Sequence, residues 1–235
     1  MILRVLNRII YRHKATSETY VAYLKSKGVM CGEGIRIFVP HKTTIDVLNP
    51  HLLSIGSNVV ITGPTTILTH DYSVSVANRL SGGRLYGKQQ PVSIGSNVFI
   101  GWGSIILPGS TIENNVIIGA GAVISGRVET GSVYAGNPAQ YVCSIETYME
   151  KRAQKQLGEA VVIFKKYRER YGKIPDKAIF HEYFYLFSSE DELIELYKEK
   201  MRENGNYDEC LQYVKIHKPV FETYESFCEY AGRQK

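Results

Sequence analysis

The chain has 235 residues, 44% hydrophobic and 22% charged, with a net charge of +5 and a mean hydropathy of −0.16. This composition excludes a disordered chain and supplies enough apolar material for one domain plus an appendage. The mild basicity calls for no nucleic-acid partner and suits phosphorylated small molecules. Cys31, Cys143, Cys210 and Cys228 form no CxxC pair. A disulfide scaffold or zinc knuckle is therefore not expected, and a cytoplasmic setting is.

Residues 1–28 read as an N-terminal helical segment. Arg4, Arg8 and Arg12 line one face, and Ile2, Leu6, Ile9 and Ile10 the other. Such a helix packs on its own protein or a neighbouring subunit, or lies as a peripheral element on an anionic membrane surface. The arginines interrupt the apolar run that a signal peptide needs, and no run reaches the roughly 20 residues of a membrane span.

The next segment, 29–142, is glycine-rich and charge-poor. Residues 1–142 hold 17 of the 21 glycines, while 33 of the 93 residues in 143–235 are charged. Within it, residues 93–128 divide into six hexapeptides: SIGSNV, FIGWGS, IILPGS, TIENNV, IIGAGA and VISGRV. Isoleucine takes the second place each time, from Ile94 to Ile124, and a small or β-branched residue follows four positions later. Ile55, Ile61 and Ile67 continue the phase upstream, with Ile35 and Val39 as an earlier copy. A period of six fits neither helix nor simple alternation. It predicts a coil of three flat faces, 18 residues per turn, stacking Ile94 on Ile112, Ile100 on Ile118 and Ile106 on Ile124.

These hexapeptides, with THD at 69–71, YGK at 86–88, the GAGAVISG run and GNPA at 136–139, resemble the hexapeptide-repeat acyltransferases. The likeness is to the maltose and galactoside O-acetyltransferase type and to enzymes that acetylate surface polysaccharides. The resemblance implies a mainly β fold, a left-handed parallel β-helix. It also implies acetyl-CoA as donor, a homotrimer with sites between neighbours, and a sugar or glycan acceptor, with no metal.

The spacing from Ile67 to Ile94 is not a multiple of six, so a loop insertion is expected at 72–91, walling an acceptor pocket. His70 stands at the start of that loop and matches the family's catalytic histidine. Imidazole suits the task, because attack of a hydroxyl on a thioester needs a base near neutral pH. No serine or cysteine sits in a nucleophile motif, which favours direct transfer. Asp71 and Asp46 are alternative partners for the imidazole. Asp71 serves only if the chain turns at His70, since adjacent side chains on a strand point to opposite faces; otherwise it anchors the loop. His41 and Asn49 are weaker candidates for the acceptor pocket. By resemblance, the coenzyme groove is formed by Gly101, Trp102, Ser104, Gly119, Ala120, Ser125, Gly126 and Asn137, with Arg127 meeting a coenzyme phosphate.

Residues 143–235 read as a C-terminal helical extension. Leu157, Val161, Phe164 and Tyr171 recur at helical spacings, and Gly172 and Pro175 end that helix. An aromatic run, AIFHEYFYLF, follows; Ser188 and Ser189 then precede three acidic residues, and FETYESFCEYAG forms a last helix. The whole reads as a sugar O-acetyltransferase. The alternatives are an N-acyltransferase on an amino sugar and a non-catalytic β-helix scaffold. A carbonic anhydrase on the same coil would need an H-x4-H pair, which the six histidines do not provide.

Overall fold

The structure is a computed structural model and describes residues 9–234. Arg4, Arg8, Ile2 and Leu6, which carry most of the expected N-terminal amphipathic pattern, lie outside the described residues. Two compact units divide the chain, one ending at Tyr148 and the other starting at Met149.

The first unit is a coil of short parallel strands on three faces. One face stacks Met30–Cys31, Leu53–Ile55, Val92–Ile94, Thr111–Ile112 and Arg127–Val128. The second stacks Arg36–Phe38, Val60–Thr62, Val98–Ile100, Val116–Ile118 and Ser132–Ala135. The third stacks Thr44–Ile45, Thr66–Ile67, Ile105–Ile106 and Val123–Ile124. Ile94 pairs with Ile112, Ile100 with Ile118 and Ile106 with Ile124, as the spacing predicts. These six isoleucines are at most 2% exposed. Burying each is worth roughly 1.5–3 kcal/mol, so the repeat is a column of core contacts.

The corners explain the other places of the hexapeptide. Asn58, Asn97 and Asn115 adopt left-handed backbone, a conformation asparagine tolerates. The Asn97 amide donates to Asn115 Oδ1 at 2.8 Å one coil on. At the sixth place the buried hydroxyls of Ser104 and Ser110 each donate to the carbonyl three residues back, at 2.7 Å. Glycine is a steric requirement at Gly101, where a Cβ would lie 2.5 Å from the Ala120 nitrogen.

Two details of the repeat differ from the sequence reading. In the early coil the residue stacked on Ile61 is Ile37 rather than Ile35, and Val39 turns left-handed ahead of a 3-10 turn. In the last hexapeptide the corner is two residues shorter, so Val128 stands opposite Ile112. A third correction concerns the whole chain: among the described residues more are helical than extended, so it is not mainly β.

A helix over Ser17–Lys27 closes the first end of the coil. Thr16 and Thr19 form its capping box, and Gly28 ends it in left-handed conformation. It buries Tyr20 and Leu24 in the same core as the isoleucines. At the other end Gln140–Ser144 folds back antiparallel on Ser132–Ala135.

The second unit is helical. Ala160, Val161 and Phe164, on the helix Ile145–Tyr171, pack against Phe180, Leu186, Phe187, Phe227 and Ala231. The aromatic run forms 3-10 turns at Lys177–Phe180 and Phe184–Leu186 rather than one helix. Helices Glu195–Asn204 and Tyr207–Ile216 follow, with Tyr197, Met201 and Val214 in a second cluster. The last helix, Tyr224–Arg233, is capped by Thr223. Among the described residues no helix is long and apolar enough to cross a membrane.

Candidate active site

His70 lies at the corner between the third and first faces, just past the strand Thr66–Ile67. Asp46 lies on the same corner one coil earlier, directly past Thr44–Ile45, where its backbone N–H donates to Ile67 at 3.0 Å. Strand stacking therefore brings together two residues 24 apart in sequence. His70 Nδ1 is 2.5 Å from Asp46 Oδ2. The same carboxylate oxygen accepts the Thr69 N–H at 3.1 Å and the Thr69 hydroxyl at 2.5 Å. Asp46 Oδ1 accepts the Leu48 N–H at 2.9 Å. Burial raises the Asp46 pKa, but the bonds from Thr69, Leu48 and His70 outweigh it and hold the carboxyl at about 2. An ionised Asp46 fixes the proton on Nδ1 and leaves Nε2 with the lone pair a general base needs.

Asp71 anchors the insertion and is corrected as an imidazole partner. Its carboxylate accepts from Lys88 Nζ at 2.7 Å and from the Ser73 N–H at 2.8 Å. The Lys88 bond is the main cause of its lowered pKa, about 2. The insertion is cinched at its root. His70 bridges Gln89, the Asp71 N–H donates to Lys88, and the Gln90 N–H donates to Thr69, both at 3.0 Å. Beyond that neck the segment is no plain loop: it carries a two-turn helix, Val74–Leu80. Asn78 then braces it, accepting the Tyr86 N–H at 2.7 Å and donating to the Tyr86 carbonyl at 3.3 Å. The open pocket beside the insertion measures about 380 Å³ and is lined by His70, Asp71, Tyr72, Asn78, Tyr86 and Lys88, among others. The Tyr72 ring stands edge-on to the imidazole, centroids 4.9 Å apart. Thr69, Tyr72 and Asn78 are additions that sequence reasoning missed; only the THD motif pointed to Thr69.

The expected groove residues fall on two corners. Gly101, Trp102, Ser104, Gly119, Ala120 and Asn137 follow strands of the second face. The Gly121 N–H donates to Trp102 at 2.7 Å and the Val123 N–H to Gly136 at 3.0 Å, so this corner is a continuous ladder. Trp102 is 51% exposed there, and Ala120 and Asn137 are exposed too. Ser104 is corrected: it is fully buried, its hydroxyl spent on the Gly101 and Gly119 carbonyls, so it offers a ligand nothing. Ser125 and Gly126 instead follow the third face, on the corner that carries His70, and Arg127 opens the next strand of the first face. Arg127, its side chain 71% exposed, bonds Glu113 through one guanidinium nitrogen, and Glu113 also accepts the Thr130 N–H and hydroxyl. His41 packs on Tyr11, ring centroids 4.5 Å apart. His41 and Asn49 are absent from the residues lining the pocket. Among the described residues no group of three metal-ligating side chains occurs.

A repeat coil with a histidine–carboxylate pair beside an insertion defines a class. Residues 91–126 match the family described as bacterial transferase hexapeptide (six repeats). The chain is 37% identical over 135 residues to Protein CapG of Staphylococcus aureus, covering 54% of this chain and 73% of that protein. It is 32% identical over 101 residues to the galactoside O-acetyltransferase of Escherichia coli K12, covering 43% and 48%. A solved maltose O-acetyltransferase from Clostridium difficile 630 superposes with a TM-score of 0.41 at 27% identity, covering 60% of this chain and 83% of that one. The chain belongs to the hexapeptide-repeat transferases. Apart from CapG, it spans about half the length of the leading curated relatives it matches.

Proposed function

We propose that the protein is an acetyl-CoA-dependent O-acetyltransferase acting on a sugar hydroxyl of a surface polysaccharide or glycolipid, with His70 as general base. The His70–Asp46 pair carries this reading. Nε2 takes the acceptor proton as the hydroxyl oxygen attacks the thioester carbonyl. The C–S bond then breaks, and the imidazolium returns the proton to the departing coenzyme sulfur. Asp46 orients the ring and stabilises its cationic form. The named homologues, a galactoside O-acetyltransferase among them, support the reaction class.

We further propose a left-handed sense for the coil and a homotrimer packed through its flat faces. The separation of the groove residues onto two corners supports a shared site. The His70 corner of one subunit would meet the Trp102–Ala120–Asn137 corner of the next, where exposed backbone beside small residues fits a pantetheine arm and the developing oxyanion. All four cysteine thiols are free, which fits a cytoplasmic location.

The test is His70→Ala. Its turnover of acetyl-CoA with a sugar acceptor should fall by about 10²–10⁴-fold. Coenzyme binding by calorimetry should persist, because the isoleucine columns do not involve this side chain. Retention of more than a tenth of wild-type kcat would remove His70 from the chemistry.

A further inference from the structure

We infer that the acceptor is an anionic sugar, carboxylated or phosphorylated, whose charge is met by Lys88 and Arg84 at the rim of the His70 pocket. This rests on the acyl-transfer reading and narrows its substrate class. The segment from Tyr72 to Pro91 contains Arg79, Arg84 and Lys88 and no aspartate or glutamate. Three cations outnumber the two nearby carboxylates, although Asp71 is paired with Lys88. Asp46 has a side chain only 6% exposed, and its oxygens are occupied by Thr69, Leu48 and His70. Asp71 is engaged with Lys88 and the Ser73 N–H. A lysine ammonium has three donors, so the bond to Asp71 leaves two, on a side chain 47% exposed that lines the pocket. The Arg84 guanidinium rests on the Tyr86 ring, 5.3 Å from its centroid, and Tyr86 lines the same pocket.

These cations ride on a braced wall. Asn78 clamps both backbone groups of Tyr86, and the Ser81 hydroxyl bonds the carbonyls of Asn78 and Arg84. Pre-positioned charge of this kind favours an anion without a large ordering cost. Tyr72, exposed beside the imidazole, offers an aromatic surface to a sugar ring of either charge. A neutral sugar gains only that surface, whereas an anionic one adds a charge-assisted bond.

Acetyl transfer to an uncharged glycoside, the matching uronic acid and the matching sugar phosphate tests the inference on the full-length protein. The wild type should favour one or both anions by roughly tenfold or more in kcat/KM. Added salt should shrink that preference, as should the double variant Arg84→Gln/Lys88→Gln. The uronic acid and phosphate arms tell which anion is preferred. Equal kcat/KM for neutral and charged sugars would overturn the inference while leaving the acyl-transfer reading intact. So would a variant that keeps the anionic preference but raises KM for acetyl-CoA, since the cations would then serve the donor phosphates. Calorimetry without donor separates the two readings. Binding of the anionic sugar alone, without transfer to any acceptor, sustains the anion site and overturns the transferase reading. Binding of none, or of neutral and charged sugars alike, overturns the anion site.

Discussion

At the scale of single residues, Asp46 holds the candidate site together. It joins the corner of one coil to the corner of the next and accepts four hydrogen bonds. Asn at this position presents one acceptor and one donor, so the amide nitrogen would face donors in place of a carboxylate oxygen. Asp46→Asn should therefore lower kcat, though by less than His70→Ala, with KM for acetyl-CoA little changed; steady-state kinetics checks this. The pH dependence of stability follows from the same bonds. Asp46 has a folded pKa of about 2, below the ordinary carboxylate value of roughly 4. The unfolded chain binds the proton more readily, so this contribution is complete above about pH 4 and is lost as pH falls toward 2. Tm measured across that window should fall more steeply for the wild type than for Asp46→Asn. Parallel curves would mean that the Asp46 bonds add nothing to stability.

At the scale of elements, glycine has opposite meanings in the two units. Gly101 sits where stacked corners touch, and an added Cβ would lie 2.5–2.7 Å from backbone atoms of Ile118, Gly119 and Ala120. Backbone cannot swing aside as a flexible side chain does, so Gly101→Ala should force the coils apart and lower Tm by several degrees. Gly158 lies within the helix Ile145–Tyr171, and a methyl added there would meet no atom within 4 Å. Its backbone is helical, so Gly158→Ala should raise stability by about 0.5–1 kcal/mol. Thermal melts of the two variants should move in opposite directions. A Gly101→Ala protein as stable as wild type would mean that the corner is looser than its contacts imply.

At the scale of the whole molecule, the proposed homotrimer would bring the groove residues of one copy to the His70 of another. Trp102, Ala120 and Asn137 follow the second face, while His70 follows the third. Light scattering should give about three times the 26.5 kDa chain mass. Mixing His70→Ala chains with chains altered at the Trp102 corner, by Ala120→Trp, should restore part of the activity, because some interfaces would pair two intact corners. A fully active monomer would defeat the shared site.

The isoleucine columns were legible from the sequence because one inward residue per face repeats with a fixed period, and burial tolerates no slippage of that phase. His70 was legible because the interruption of the period marks where the coil opens into the insertion. The helices Glu195–Asn204 and Tyr207–Ile216 left a fainter signal, with Gly205 ending the first in left-handed backbone. Tertiary structure alone decided the partner of His70. Asp71 is adjacent in sequence but turns to Lys88, while Asp46 is 24 residues away and arrives through strand stacking. The coil lengths before the regular repeat depart from 18 residues, with Ile45 stacked on Ile67, so no count along the chain predicts that meeting. Ser104 was beyond sequence reasoning for a related reason. Small residues at a corner look alike in a hexapeptide, but folding spends this hydroxyl inside the coil. Periodicity records which residues face inward; which polar groups are already satisfied depends on neighbours that only stacking supplies.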